Sequence, residues 1–393
     1  MKQIINGKKR FYILVAIVAI SGFSQGMLLP LISVIFEQDG ISVTLNGLNA
    51  TGLYVGTLLI SPFMEAPLRR YGYKPVIIVG GALVFLSLLL FPLWKSIIFW
   101  FVLRLFIGIG DHALHFATQT WITSTSPEKK LGKNIAIYGL SFGVGFAAGP
   151  LFVNLIHIFE GLPFIVSSIL CMLAWSLVFL VDNDFPEHMS GSTSTKGAFK
   201  RFSVTTKIAW FALLPGFGYG FLESTLNAIY PVYALRTSID VSMLSVIISS
   251  FSVGGLLTQI PLGHLSDRFG RKNILLSVLS VGSFIFFIAS FYESNAWIIA
   301  SFFLVAGMFI GSTFSLGIAY MADSTPRELL PTGNLLCGIF FSLGSLSGPF
   351  LGGLFLELAD QLSFFILIAG VLFLIFILLL VSGRKHNTKL VNP

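Results

Sequence analysis

"PVIIVGGALVFLSLLLFPLW", Pro75 to Trp94, runs twenty residues without a charge. As a helix it would rise about 30 Å, the thickness of a bilayer's hydrocarbon core. Stretches of this kind recur from end to end: 11–36, 48–67, 75–94, 96–122, 134–158, 161–181, 207–235, 241–265, 273–292, 295–322, 331–357 and 362–383. No water reaches the hydrocarbon to satisfy exposed backbone groups, so each stretch is predicted to be a helix that satisfies its own. The chain therefore reads as an all-α membrane protein with twelve transmembrane helices. Composition agrees: only 10% of residues are charged, against about 25% in soluble domains, and the mean hydropathy is +0.88. The first stretch follows basic residues, as a secretory signal would. It continues through Phe36 with no small-residue cleavage site, which predicts an uncleaved first helix.

Lysine and arginine placement sets the orientation. With the N-terminus inside, 21 of the 24 basic residues fall in cytoplasmic segments, Lys95 and Arg236 fall outside, and Arg104 lies within a span. Both termini are thus expected in the cytoplasm. The net charge of +7 is a topology signal, and no nucleic-acid partner is expected. Cys171 and Cys337 both sit in spans, so neither a disulfide framework nor a metal site is expected.

The second half echoes the first at an offset of 199 residues. Gly56 and Pro62 match Gly255 and Pro261, Gly108 matches Gly307, Pro127 matches Pro326, and Gly139 matches Gly338. Gly145 matches Gly344, and "GP" at Gly149–Pro150 matches "GP" at Gly348–Pro349. Six helices per half is an even number, so the halves are parallel repeats, with a substrate site expected where they meet. The expected division is a first half over 1–181, a polar cytoplasmic linker over 182–206, a second half over 207–383 and a tail over 384–393.

On these features the chain resembles the major facilitator superfamily over nearly its whole length. "GHLSDRFGRK", Gly263 to Lys272, resembles that family's signature loop between the second and third helices of a half. "RLFIGIG", Arg104 to Gly110, resembles its fourth-helix motif. "GFAAGP" (Gly145 to Pro150) and "GSLSGPFLGG" (Gly344 to Gly353) resemble a fifth-helix motif often associated with proton-driven exporters. The resemblance implies a conformational latch at Gly263, Asp267, Arg268, Gly270, Arg271 and Lys272, in which Asp267 braces neighbouring helix ends. In the first half the loop reads "EAPLRRYGYK", with Arg69 where the family places an acid. Glu65, four residues earlier on the same helix face, is the available substitute partner. The elements at Gly145, Gly149, Pro150, Gly344, Gly348 and Pro349 have a mechanical reading: small residues let membrane helices approach and proline loosens the helical ladder.

Features present in only one half need a reason other than architecture. At the 199 offset Arg104 corresponds to Phe303, Asp111 to Ile310 and His115 to Phe314. At about 100° per residue, Arg104, Asp111 and His115 fall within roughly 40° of one another, and Gln119 stays near that stripe. His112 lies about 80° from Arg104 and is expected to face a neighbouring helix. Arg104 and Asp111 are about 10 Å apart along the axis, too far to pair within one helix. The other deep acid is Glu223, with Asn227 one turn on; the first helix carries Gln25 but no acid at that depth. The resemblance implies that the first, fourth, seventh and tenth helices line a central cavity, with Glu223 and Asp111 beside it and Arg104 available to either. Charges inside a membrane are costly and default to functional hypotheses. At least one acid is expected to exchange protons, helped by His115, against the alternative of a buried interhelical pair.

The function expected is secondary active transport of a small organic solute by alternating access, with proton-coupled efflux of a drug-like or amphipathic compound as the leading form. Proton-symport uptake of a metabolite and lipid transport by the same fold remain open, as does a non-transporting receptor or scaffold. Enzymatic activity is not expected, because neither a nucleophile elbow nor a phosphate-binding glycine loop occurs. No cofactor is implied. The partners expected are the solute, protons and the bilayer, and a monomer suffices because one chain holds both halves.

Overall fold

The computed structural model describes residues 2–126, 128–186, 195–326, 329–359 and 361–387. Every regular element among them is helical. Contacts divide the chain into two units, residues 1–41 with 48–190 and residues 42–47 with 191–393.

The first unit is built from α1 (Lys2–Gln38), most of α2 (Val43–Ile60), the short α3 (Glu65–Tyr71), α4 (Tyr73–Leu90), α5 (Ile97–Thr125), α6 (Glu128–Ala148) and α7 (Leu162–Ser176). Here α1 packs on α6 and α7, and α4 packs on α5. Ile13, Ile17, Tyr73, Ile77, Leu114 and Trp121 form part of its buried core. The second unit holds α8 (Thr195–Ala228), α9 (Tyr230–Arg236), α10 (Val241–Phe269), α11 (Arg271–Ala289), α12 (Ala296–Ile310), α13 (Thr313–Ser324), α14 (Leu330–Leu358) and α15 (Phe364–Asn387). Its main seams are α8 on α14, α10 on α12 and α11 on α15.

Eleven helices among the described residues are long and apolar enough to cross a membrane. The seventh predicted span falls on α8 and α9, where Pro215, Gly216, Gly218, Gly220, Glu223 and Asn227 dilute the apolar run; with it the bundle has twelve spans. Outward-facing Val79, Leu89, Ile98, Leu257 and Phe284 remain exposed, as lipid-facing side chains do. α8 begins at Thr195, so part of the expected polar linker is helical. The helix bends at Ala209 (φ −121°, ψ 18°), beside a buried cluster of Ala209, Phe211, Ala212 and Leu213 against which Phe202 packs. Residues 187–194 of that linker, together with Pro127, lie outside the described residues.

Glycines set the helix spacing. A Cβ on Gly145 would overlap the Ala19 carbonyl of α1, and one on Gly344 would overlap the Phe217 carbonyl of α8. Gly149 meets Phe23 and Met27, and Gly348 meets Phe221 and Thr225, in the same way. The two prolines act differently. At Gly149 the helix tightens into a 3-10 segment, Gly149–His157, whereas α14 runs unbroken through Pro349.

These contacts also correct the repeat register. The fourth and fifth helices of the halves keep the 199 offset, but the first and second pair at 198. Gly56 packs on Leu105 and Ile109, while Gly254 packs on Leu304 and Met308. The true partner of Gly56 is therefore Gly254; Gly255 packs instead on the backbone of Gly311. One residue of slip between helices is invisible to a single fixed offset. Gly139 and Gly338, by contrast, have nothing within 4 Å of an added Cβ.

Gly145→Val should pry α1 from α6 and cost about 1–3 kcal/mol, as overpacking does, whereas Gly139→Ala should change stability by about 0.5 kcal/mol or less. Thermal unfolding of the detergent-purified variants checks this; equal losses at the two sites would contradict the packing account.

Candidate functional site

On α5 the polar stripe is real but divides into separate environments. Asp111 is buried, and both of its carboxylate oxygens accept hydrogen bonds from α1: Ser21 Oγ donates to Oδ1 and Gln25 Nε2 to Oδ2. His115, one turn further along α5, places Nε2 3.0 Å from Ser21 Oγ and 3.7 Å from Asp111 Oδ2. Its Nδ1 lies 2.6 Å from the Tyr138 hydroxyl on α6, and Phe142 stands edge-on to the ring at 5.2 Å.

For an ionised Asp111 and a neutral His115, these contacts admit one set of proton positions. A serine hydroxyl has one hydrogen. Given to Asp111, it leaves Ser21 Oγ as acceptor, so His115 donates through Nε2–H. A neutral imidazole then accepts at Nδ1, from the Tyr138 O–H. Every donor in the series Tyr138, His115, Ser21 points toward the one carboxylate. Asp111 and Ser21 also face a small crevice between α1, α4, α5 and α7, lined in addition by Ile17, Val84, Cys171 and Trp175.

The other candidates on α5 stand apart. His112 Nε2 is 3.1 Å from Ser61 Oγ, just beyond α2, which is the neighbouring-helix contact expected of it. Gln119 is exposed and outside the network. Arg104 is fully buried, and none of its three guanidinium nitrogens has a hydrogen-bond partner among the described residues. The expectation that it pairs with an acid is not met among the described residues, because the oxygens of Asp111 are already engaged by α1.

In the second unit Glu223 is half-buried on α8. Asn227 Nδ2 donates to its backbone carbonyl at 2.8 Å rather than to its carboxylate, and Asn227 Oδ1 is buried without a partner. Tyr219, one turn earlier, is its electrostatic neighbour. At the 198 offset Glu223 is the counterpart of Gln25, and Tyr219 that of Ser21. The ring pair His115–Phe142 recurs as Phe314–Phe341, 5.0 Å apart. By sequence correspondence each half thus carries one acid at this pair of positions, on the fourth helix in the first half and on the first helix in the second.

The signature loop is held by an arginine hub. Gly270 adopts φ 89°, a left-handed conformation suited to glycine, and ends α10 so that α11 starts at Arg271. The guanidinium of Arg271 lies 2.7 Å from Asp267 Oδ1, donates from Nε to Asp323 Oδ2 on α13 at 3.1 Å, and donates from Nη1 to Ser266 Oγ at 2.9 Å. Asp267 therefore braces through Arg271 rather than capping a helix end itself. Arg268 lies over the Phe269 ring, Lys272 reaches the Leu380 carbonyl, and Gly263 has open space around it. Gly72 repeats the left-handed turn at φ 84° in the first half. There Tyr73, the counterpart of Arg271, bonds to Ser124 Oγ at 3.0 Å and stacks on Trp121. Arg69 lies on α3; the side chain of Glu65, its expected partner, lies outside the described residues.

Ser21, Tyr138 and Asp323 escaped the sequence reading. Ser21 had a signal, since it precedes Gln25 by four residues on one helix face. Tyr138 and Asp323 had none, because only the packing of α6 and α13 brings them in.

Tyr138→Phe keeps the ring but removes the donor to half-buried His115, and should cost about 0.5–1.5 kcal/mol, read by chemical or thermal unfolding. Arg271→Lys keeps the charge but not the three-way fork. With Asp267 and Asp323 side chains 58% and 60% exposed, it should cost under about 1 kcal/mol of stability, so a marked loss of transport in this variant would isolate the latch role.

The model for the Major Facilitator Superfamily matches residues 14–236 and again residues 212–393. The MFS-type transporter YfkF of Bacillus subtilis (strain 168) is 52% identical over 375 residues, covering 95% of this chain and 96% of YfkF. Multidrug resistance protein 2 of the same organism is 21% identical over 386 residues, covering 94% and 96%. Among solved structures, the nucleoside transporter NupG superposes with a TM-score of 0.75 at 12% identity, over 95% of this chain and 99% of that one. A bacterial homolog of the human lysosomal transporter Spinster, in an inward-facing and unoccupied conformation, gives 0.69 at 16% identity over 96% of each chain. These two likenesses concern the fold alone. A doubled match, a relative at half identity over nearly full length and a twelve-helix fold agree: the chain is a multi-pass membrane protein that belongs to the Major Facilitator Superfamily.

Proposed function

We propose that the chain is a secondary active transporter that exports a small organic solute by alternating access, in exchange for protons. The observation that carries this reading is the directed series Tyr138, His115, Ser21, Asp111 inside a membrane span. A proton received at the Tyr138 oxygen lets Tyr138 pass its own hydrogen to His115 Nδ1, Nε2 release its hydrogen to Ser21, and Ser21 pass its hydrogen to Asp111. Protonation neutralises the carboxylate and turns it from a pure acceptor into a donor. The hydrogen bonds from Ser21 and Gln25, which tie α1 to α5, must then be rebuilt. A binding event on one atom thereby biases the packing of two helices, which is what coupling requires.

Glu223 is a second acid at the corresponding pair of positions in the other half, and it is assigned either a second proton or attraction of the solute. The latch at Arg271 and the glycine-proline helices supply mechanics and touch no solute. The likeness to Multidrug resistance protein 2 supports export. In this reading the protein works as a monomer in the cell membrane, with both termini in the cytoplasm.

The test is proton movement in inside-out vesicles with an imposed pH gradient, read by a quenched dye as candidate solutes are added. Solute-dependent proton release is expected from the wild type. Asp111→Asn should reduce it about 100-fold or more, general acid–base roles being worth 10²–10⁴-fold, and Glu223→Gln should also reduce it, with expression intact in both. Full activity in both variants would remove the coupling assignment, and proton movement of the opposite sign would convert the exporter into an importer.

A further inference from the structure

The proton network leaves one charged group unused, Arg104. It is fully buried, and among the described residues its Nε, Nη1 and Nη2 atoms all lack hydrogen-bond partners. A guanidinium does not lose its proton in proteins, so it cannot relieve this burial by becoming neutral, as a lysine or histidine would. A buried charge left without a counter-ion costs several kcal/mol. Asp111 does not serve, being about 10 Å along the axis and engaged with α1. The polar neighbour that interacts with Arg104 electrostatically is Tyr54 of α2, which is neutral as a phenol.

Packing does not call for an arginine here. The seam between α5 and α2 is built on Gly108 against the Leu53 carbonyl, and the seam between α12 and α10 on Gly307 against the Phe251 carbonyl. In that second copy the counterparts of Arg104 and Tyr54 are Phe303 and Ser252. Phe303 is fully buried against Tyr230 at 4.7 Å and Phe286 at 6.0 Å. The same backbone arrangement is therefore filled by an uncharged ring, and the positive charge in the first half answers to something other than the fold.

We infer that Arg104 is the anchor for a monovalent organic anion, the carboxylate of the transported solute. One guanidinium compensates one negative charge, whereas a phosphate dianion would leave a surplus charge in the low-dielectric interior. The planar fork of the guanidinium matches a carboxylate through two parallel hydrogen bonds. The assignment rests on the transport reading only in taking the bound anion for the cargo.

Equilibrium thermal unfolding of the detergent-purified full chain tests it without any proton flux, so its failure is distinct from failure of the coupling assignment. Acetate, butyrate and benzoate are compared with chloride at equal ionic strength, with inorganic phosphate and with phosphatidylglycerol, for wild type, Arg104→Lys and Arg104→Met. The carboxylates should raise the wild-type midpoint above the chloride control. Arg104→Met should weaken the apparent affinity roughly thirtyfold or more, and Arg104→Lys should weaken it less. Without anion, Arg104→Met should unfold at the same temperature or a few degrees higher, because it removes an uncompensated charge. No carboxylate-specific shift would overturn the inference, as would shifts from chloride, inorganic phosphate or phosphatidylglycerol that match or exceed those from carboxylates. A lowered midpoint for Arg104→Met without anion would also overturn it, making Arg104 a structural clamp.

Discussion

Glycine against carbonyl is the contact on which the rest of the molecule depends. Lipid tails are as apolar as leucine, so burial of apolar surface gives these helices little reason to associate, and close backbone approach has to supply the packing. Gly145 on Ala19, Gly108 on Leu53 and Gly56 on Leu105 draw α1 to α6 and α2 to α5; Gly344 on Phe217, Gly307 on Phe251 and Gly254 on Leu304 do the same in the second unit. Across the α1–α6 seam closed in this way, Ser21 of α1 and Tyr138 of α6 both reach His115 of α5.

A shared backbone plan makes the differences between the units informative. Where the first half has Asp111 and Gln25, the second has Ile310 and Glu223 at the corresponding positions. Where the first has Tyr73 on Ser124, the second has Arg271 on Asp323. The α5 helix runs continuously through Asp111, while its counterpart breaks after Ile310 and resumes at Thr313. The chemistry has thus diverged on seams that stayed fixed. The glycine seams recur in both copies and the turns trade one closure for another, whereas the hydrogen-bond series ending on Asp111 occurs once among the described residues.

Much of this was legible before any coordinates. The apolar runs announce the helices, and "GHLSDRFGRK" announces the signature loop. The polar stripe at Arg104, Asp111 and His115 stands out because the second half has Phe303, Ile310 and Phe314 at the same places. Less legible was what each polar residue touches. Arg104 and Asp111 share a face of one helix, yet among the described residues Asp111 is hydrogen-bonded on both oxygens and Arg104 on none of its three nitrogens. Gln119 shares that face too and ends exposed. Helical periodicity assigns direction, while partners depend on which neighbouring helix crosses at that height.

By itself, then, the sequence determined that this chain forms membrane-spanning helices in two repeated halves, because hydropathy and helix length are local properties and the bilayer leaves the backbone no alternative. It also determined where unusual charges sit. Tertiary structure alone decided that the repeat slips by one residue between helix pairs, that Arg271 rather than Asp267 is the centre of the contacts in the signature loop, and that Tyr138 and Ser21 complete the hydrogen-bond series to Asp111. Those outcomes depend on contacts between residues up to about a hundred positions apart, set by backbone distances of a few ångströms that no single stretch of sequence encodes.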